Sequence, residues 1–306
     1  MSRWLNNPLA VGIGTREIVV GVRSPALWRP RKRAFAADPV SVAIPDAQFG
    51  SEAGVLDALR AALAATVATV ATSTTSGGAA DAAVTHGHAR SPMSPTRGAH
   101  VVLDDFWCHH AILRGDFRAL RMRELEEIVL AHFSDTYGID GASLVVRFCV
   151  QQRGRALFAG ALSRTLHDGF HDAGASAGVR IRSLRSALPE TLNRIAVKAG
   201  DDALLIVVAD ALMQAVMIER GGWAAYDAQR LFPGESGDAS RLAELAEQLF
   251  ERSATRAGMK REDCPVYLTG IDTDFAPFGA RFAAAVRLPG PALDGSPASR
   301  LMEYAP

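Results

Sequence analysis

Two long apolar hairpins, one in each half of the chain, constrain this sequence most. The first, LAVGIGTREIVVGVR, spans residues 9–23 and turns at Gly14-Thr15-Arg16. Glycine beside polar residues is typical of a tight turn between two strands. The second, LLIVVADALMQAVMIERGGW, spans residues 204–223. Segments with helical and strand periodicity follow both hairpins, so the sequence predicts an α/β protein with two lobes and mixed sheets flanked by helices.

The rest of the first half alternates between the two periodicities. Residues 53–71 predict a helix with an inner face of Leu56, Leu59, Leu63, Val67 and Val70. Residues 100–117 predict two strands with Asp104 and Asp105 at the bend between them. A helix over 118–137, ended by Gly138, is predicted to bury one face. The residues of that face are Leu125, Ile128, Val129 and Phe133. A hairpin over 143–162, a helix from Ser163, a strand over 178–184 and a helix over 186–198 complete this half.

The second half is shorter and repeats the same order of elements. A hairpin over 203–225 precedes an amphipathic helix over 238–258 and a strand over 265–271. The helix has Leu242, Leu245, Leu249 and Phe250 on its inner face. We therefore predict a first lobe over 1–198, a smaller second lobe over 199–287 and a proline- and glycine-rich tail over 288–306. Within the first lobe, residues 72–99 are rich in Ser, Thr, Gly and Pro, a composition that predicts a flexible insertion.

Composition narrows the class of protein. Lysine plus arginine equals aspartate plus glutamate at 33 each, so no global charge favours nucleic acid as a partner. The three cysteines lie far apart and form no CxxC motif, which favours a reducing compartment. No apolar run reaches the roughly 20 residues that a membrane-spanning helix needs. These observations predict a cytoplasmic protein that meets a membrane only through a partner.

Two segments are similar to a known group of assembly proteins. They are VVLDDFWCHHAILRGDFRALRMRELEEIVLAHFSDTYG at 101–138, and SLRSALPETLNRIAV at 183–197 followed by the second hairpin. In order and spacing, over roughly residues 9–285, they resemble the cytoplasmic part of GspL-type proteins of type II secretion and PilM-type proteins of type IV pilus assembly. The resemblance implies an actin-like, RNase H-like fold that serves as a platform at the inner membrane. The implied partner is the cytoplasmic tail of a bitopic membrane protein, with a secretion or pilus motor ATPase as a second candidate.

The nucleotide motifs of that fold are reduced in this chain. Actin-like ATPases carry an aspartate in the first hairpin that organises hydrated Mg²⁺, and the matching run here is Gly12, Ile13, Gly14 and Thr15. Their second phosphate loop combines an acid with glycines, whereas this turn is Ala209-Asp210-Ala211. Of a later glycine pair that approaches adenosine, Gly270 alone is kept. The resemblance therefore implies a non-catalytic protein without a cofactor. The alternative is a nucleotide switch that binds ATP and Mg²⁺ through atypical carboxylates such as Asp104 and Asp210.

A platform needs a surface that accepts an extended peptide. We expect that surface between the first hairpin, at Ile18 and Val20, and the strand that begins at Phe106 and Trp107. Trp28 and Trp107 are candidate anchors because aromatic residues dominate such contacts. A core position for Trp107 and a loop position for Trp28 are the competing interpretations.

Three histidine or cysteine groups invite a metal or catalytic interpretation. They are His86 with His88, His167 with His171, and Cys108 with His109. No third ligand stands at a suitable spacing from either histidine pair, so we expect no metal site. Neighbouring strand residues point to opposite faces, so Cys108 and His109 are not expected to meet as nucleophile and base.

Overall fold

The structure is a computed structural model, and it describes residues 7–24, 35–75, 97–195, 202–254, 259–288 and 295–306. Trp28, residues 76–96 of the predicted insertion and residues 289–294 of the predicted tail lie outside the described residues. Contacts divide the chain into two compact units that interleave along the sequence. The first consists of 1–102, 168–185 and 301–306, and the second of 103–167 and 186–300. The sequence predicts lobes over 1–198 and 199–287 and a tail over 288–306, whereas these units are each made of separate stretches of the chain.

The described residues form thirteen strands and seven α-helices. In chain order the strands are β1 Leu9–Ile13, β2 Glu17–Val22, β3 Val40–Ala43, β4 Arg97–Leu103, β5 Cys108–Arg114, β6 Leu144–Gln151, β7 Ala156–Ser163, β8 Val179–Ser186, β9 Ala203–Val208, β10 Leu212–Glu219, β11 Gly222–Arg230, β12 Pro265–Thr269 and β13 Ala284–Arg287. The helices are α1 Glu52–Thr75, α2 Met122–Tyr137, α3 Arg164–Ser176, α4 Ala187–Ile195, α5 Ala239–Ala254, α6 Ala276–Gly279 and α7 Pro297–Leu301.

The first unit is built on a five-stranded sheet with the order β3-β2-β1-β4-β8. The first hairpin forms as predicted, because β1 and β2 pair antiparallel from Leu9↔Val22 to Ile13↔Ile18. Helix α1 packs against β2 and β3. It buries Leu56, Leu59 and Leu63, whereas Val67 is 38% exposed and does not belong to the inner face predicted for it.

The second unit contains a five-stranded sheet with the order β11-β10-β9-β12-β13. Strand β9 is buried along its whole length, since helices cover both of its faces. Leu204 and Ile206 face the core that holds α5, and Leu205 and Val207 face the core that holds α4. The inner face predicted for the α5 helix is correct: Leu242, Leu245, Leu249 and Phe250 are buried.

A three-stranded antiparallel sheet with the order β5-β7-β6 completes the second unit. Helix α2 covers one face of it through Leu125, Val129 and Phe133, and Gly138 ends the helix at φ 68° as predicted. Ile128 is 36% exposed, so the predicted inner face was wrong at that position. The helix begins at Met122 rather than near residue 118, because residues 117–120 form a turn closed by Leu120 N–H to Phe117 O at 3.3 Å.

The sequence prediction was incomplete for two strands of the second unit. The hairpin predicted over 203–225 is a three-stranded meander, since β11 follows β10 through a tight turn and extends to Arg230. The short strand β13, which pairs parallel to β12, was also not predicted. In the described part of the chain, no helix is long and apolar enough to cross a bilayer.

Candidate functional site

The first group of nucleotide candidates lies at the first hairpin, in the first unit. Gly12 pairs with Val19 inside the hairpin and is buried, so this position offers backbone but no carboxylate. Gly14 N–H donates to Glu17 O at 2.9 Å and closes the turn. Thr15 is 2% exposed. The turn therefore has the predicted shape, and it carries no acidic side chain at the position where the fold's ATPases have one.

The second group, Asp210 and Gly270, lies in the second unit. Ala209 N–H donates to Leu212 O at 2.8 Å, so the turn that carries Asp210 is tight and contains no glycine. Gly270 has φ 89°, and a Cβ atom built on it would stand 2.1 Å from Val208 O. Glycine is thus required here by the close approach of the β9 backbone. A nucleotide need not be invoked to explain it.

Asp104 sits at the bend between β4 and β5, where it caps a short 3-10 turn. Its Oδ1 accepts a hydrogen bond from Phe106 N–H at 2.9 Å, and the side chain is buried. Burial raises the pKa of this carboxyl to about 7, against the opposing effect of the Phe106 hydrogen bond. The charges of Asp105 and Asp210 raise this pKa further, and Arg300 lowers it. Asp104 is therefore partly protonated at neutral pH.

The neighbouring carboxylate, Asp105, is the centre of a buried polar network. His110 Nε2 lies 2.8 Å from Asp105 Oδ1, and Gln214 Nε2 donates to Asp105 Oδ2 at 3.2 Å. Tyr226 OH in turn donates to Gln214 Oε1 at 3.1 Å. The His110 ring packs against Phe158 and Tyr226, with centroid separations of 5.8 and 5.7 Å. We call these four residues, Asp105, His110, Gln214 and Tyr226, the polar network.

Burial also shifts the pKa values of other titratable groups nearby. The pKa of Tyr226 is raised well above its usual value, chiefly by burial and then by the charge of Asp105. Burial likewise raises the pKa of the Cys108 thiol, so it remains protonated. His109 faces the other side of β5, where its ring lies 4.5 Å from that of Tyr137. Cys108 and His109 thus point apart, as the strand periodicity predicted.

The two carboxyl groups at this bend are engaged within the protein. Both carboxylate oxygens of Asp105 are occupied by protein donors, and Asp104 carries a proton for part of the time at pH 7. Across the described residues, no group of three or more His, Cys, Asp and Glu side chains is arranged to hold a metal ion. His167 and His171 lie on α3 and belong to no such group.

The side chains predicted to bind a partner peptide are buried. Ile18 and Val20 are 0% exposed, and β2 lies inside its sheet between β1 and β3. Phe106 and Trp107 are both 9% exposed, and Phe106 is covered by the Arg230 guanidinium at 4.5 Å from its ring centroid. All four side chains, Trp107 included, are therefore buried in the structure. Trp28 lies outside the described residues.

Sequence reasoning did not single out the polar network. It names Asp105 as a turn residue that could supply a carboxylate and His110 as a neighbour of Cys108 and His109, and it does not connect either residue to Gln214 or Tyr226. One signal was present, because Gln214 is the single polar residue between the turn at Asp210 and Glu219 in an otherwise apolar strand. A polar residue at a buried position needs a partner. The identity of that partner could not be read from the sequence, because Asp105 lies 109 residues away along the chain.

The comparisons with known proteins rest on structure alone. No protein-family profile matches the sequence, and no curated protein matches it. A Bacteroides thetaiotaomicron protein with an actin-like ATPase fold and unknown function superimposes with a TM-score of 0.56 and 8% identity, over 99% of each chain. The PilM–PilN type IV pilus biogenesis complex matches with a TM-score of 0.54 and 14% identity, over 98% of this chain and 95% of that one.

The cytoplasmic domain of EpsL, an inner-membrane component of the Vibrio cholerae type II secretion system, matches at a TM-score of 0.48 and 11% identity. It covers 97% of this chain and 93% of the EpsL chain. At such identities a structural likeness establishes the fold. The mixed α/β sheets and the matches to the first two structures over nearly the whole chain show that this protein has the actin-like ATPase fold.

Proposed function

We propose that this protein is a non-catalytic assembly protein of a type IV pilus or type II secretion-like inner-membrane complex. It would work in the cytoplasm, at the membrane surface, by binding the cytoplasmic tail of a bitopic membrane protein. A motor ATPase of the same complex is a second candidate partner. The observation that carries the proposal is the match to the PilM–PilN complex, which extends over 98% of this chain with a TM-score of 0.54.

The state of the carboxylates supports the non-catalytic part of the proposal. Hydrated Mg²⁺ is bound by ionised oxygen ligands with open coordination positions. Gly12 supplies no side chain, and Asp105 is occupied by His110 and Gln214. Asp104 would have to lose a proton held by burial before it could bind a metal. The position of Gly12 and the carboxyl groups of Asp104 and Asp105 are thus each poorly suited to bind hydrated Mg²⁺.

We place the partner tail at the edge of β6 that pairs with no described strand, because the positions expected from the sequence are buried. β6 is an outer strand with eight residues, and it pairs with β7 on one side. Val145 and Val146 are half-buried, and Val150 is 42% exposed. An extended peptide could add to this edge through backbone hydrogen bonds, with alternate side chains resting on the apolar residues.

Cysteine chemistry gives a direct test of this placement. Cys149 lies exposed on β6, whereas Cys264 is buried and Cys108 is half-buried. The tagged full chain is first used to capture membrane proteins. The cytoplasmic segment of a captured single-span protein is then synthesised as a set of peptides, each with a single cysteine at a different position. Strand addition predicts disulfide formation with Cys149 at alternate peptide positions, lost in Cys149→Ser. Capture without binding of the synthetic segment contradicts the platform, and binding without cross-linking to Cys149 contradicts the β6 placement.

A nucleotide switch is the second candidate function. One observation favours it: the charges of Asp104 and Asp210 act on each other, so two carboxylates lie near one another in the second unit. Calorimetry with Mg-ATP separates the candidates. The platform predicts no binding, whereas the switch predicts micromolar binding that Asp210→Ala abolishes. Asp135→Ala, which removes an exposed carboxylate on α2, is the matched control.

A further inference from the structure

A pocket of about 810 Å³ opens in the second unit where three connections meet. They are the end of β5 with the loop after it at 114–118, the turn between β6 and β7 at 152–155, and the β10–β11 turn with its flanking residues at 219–222. This volume lies within the roughly 300–1,000 Å³ typical of small-molecule sites. None of its residues belongs to the polar network or to the nucleotide candidates.

Contacts between distant parts of the sequence hold the walls of the pocket together. Gly115 N–H donates to Arg155 O at 3.1 Å, and Phe117 N–H donates to Gly154 O at 2.8 Å. The Gln152 side chain crosses to the third connection and donates to Trp223 O at 2.9 Å. A Cβ atom built on Gly222 would stand 2.1 Å from Gln152 Nε2, so a larger residue at position 222 would displace the end of the Gln152 side chain. The pocket is therefore preformed rather than an open gap between independent loops.

Backbone strain is concentrated at the same place. Among the described residues, the non-glycine positions with positive φ are Gln152 at 50°, Arg153 at 55° and Arg220 at 50°. All three lie in the two turns that border the pocket. Such conformations are uncommon for non-glycine residues, and they cluster at ligand-binding sites. In the β10–β11 turn, Arg220 at φ 50° and Gly221 at φ 73° are the two central residues of a two-residue hairpin, and the hairpin itself accounts for their positive φ.

The pocket carries a surplus of positive charge in a protein whose formal net charge is +0. Four arginines line it against two carboxylates. Arg114 pairs with Glu219 at 2.6 Å, and Arg118 pairs with Asp116 at 2.5 Å. Neither Arg155 nor Arg220 forms a salt bridge with a described residue; Arg118, and more weakly the charge of Arg155, lowers the pKa of Asp116. Two cationic side chains from different turns therefore remain available to an anion.

The lining indicates which anion fits. Apart from arginines, carboxylates and Gln152 it consists of glycines and Ala224, so it offers no apolar anchor for a hydrophobic peptide. The planar guanidinium matches phosphate oxygens in a bidentate manner, and glycines allow the backbone to approach a ligand closely. We propose that this pocket binds a compact anion with several phosphoryl groups, held by Arg155 on one side and Arg220 on the other.

Calorimetry of the full chain with sodium tripolyphosphate at low ionic strength tests the proposal. We expect one site per chain, and we expect Arg155→Gln and Arg220→Asn each to weaken binding about tenfold to hundredfold, the usual effect of losing a charge-assisted hydrogen bond. Asparagine tolerates the positive φ at position 220. Arg147→Gln is the matched control, since Arg147 is an exposed arginine on β6 outside the pocket.

The outcomes separate a site from general charge attraction. Loss of binding in both pocket variants with retention in Arg147→Gln supports the proposal. Equal weakening in all three variants, or undetectable binding at millimolar tripolyphosphate, overturns it. Equal affinity for citrate overturns the assignment to phosphoryl groups. Should Arg220→Asn fail to fold, Arg155→Gln still decides the result. The experiment uses no partner protein, so its failure is distinct from failure of the proposed assembly function.

Discussion

At the scale of single residues, Asp104 is a buried carboxyl group whose ionised form is unfavourable in the folded protein. An aspartate in an unfolded chain has a pKa near 3.8, and burial raises the pKa of Asp104 to about 7 in the folded protein. The folded state thus holds the proton more tightly than the unfolded state does. The stabilising contribution of this group is complete below about pH 4 and is lost as the pH rises through 7.

Asp104→Asn tests this linkage. Asparagine keeps an oxygen that can accept from Phe106 N–H, and it cannot ionise. We expect the free energy of unfolding of the variant, relative to the wild type, to rise by about 2 to 3 kcal/mol between pH 5 and pH 8. Urea unfolding at both pH values measures it, with exposed Asp135→Asn as the control. Parallel pH dependences of Asp104→Asn and the wild type would contradict the assigned environment.

Gly270 illustrates a residue whose role can be separated from ligand binding. An alanine there would force an unfavourable φ and bring Cβ against Val208 O. We expect Gly270→Ala to lower the free energy of unfolding by about 2 to 4 kcal/mol without any nucleotide present. In Gly279→Ala the new methyl group meets nothing within 4 Å, so that variant should change stability by less than about 0.5 kcal/mol. Thermal or urea unfolding of the two variants measures the difference.

At the scale of elements, helices and strands with a regular spacing of apolar residues were predicted best from the sequence. α5 was predicted with its inner face intact, because Leu242, Leu245 and Leu249 repeat at three and four residues between charged positions. β11 was truncated in the prediction, since its alanines and polar residues lack the apolar alternation of a typical strand. The nucleotide candidates came from the resemblance, and the partner candidates came from the need for a peptide-binding surface with aromatic anchors. Their burial depends on tertiary packing that a local pattern does not contain.

The polar network joins β5 to β10 and β11 within the second unit, so it should behave as one cooperative element. Gln214→Leu leaves Asp105 Oδ2 without its donor and Tyr226 without its acceptor, and we expect a loss of about 2 to 4 kcal/mol in unfolding free energy. Tyr226→Phe alone should cost about 1 kcal/mol, and close to nothing when added to Gln214→Leu. Gln248→Leu, on the exposed side of α5, is the control. Additive losses in the double variant would show that the tyrosine and glutamine do not interact.

At the scale of the whole molecule, the chain returns to the first unit at its end. The sequence predicted residues 288–306 as a tail because of their prolines and glycines, yet α7 and a 3-10 turn at Met302–Tyr304 occupy part of this range. Met302 and Tyr304 are buried, and the guanidinium of Arg23, just after the first hairpin, donates to Met302 O at 3.2 Å and to Ala305 O. Local composition could not reveal this packing of residues 302–305 against the first hairpin, because the contacts join residues 279 or more positions apart.

From these contacts we predict that the last few described residues stabilise the first unit. Met302 is 1% exposed, so Met302→Ala removes buried methylene groups and leaves a cavity. We expect a loss of about 2 to 4 kcal/mol in the free energy of unfolding. Met122→Ala is the matched control, because Met122 is 70% exposed and its truncation should change stability by less than about 0.5 kcal/mol. Hydrogen exchange then locates the effect: faster exchange in β1 of Met302→Ala is expected, since β1 contacts the 302–304 turn. Unchanged exchange in β1 would show that the end of the chain contributes nothing to the first sheet.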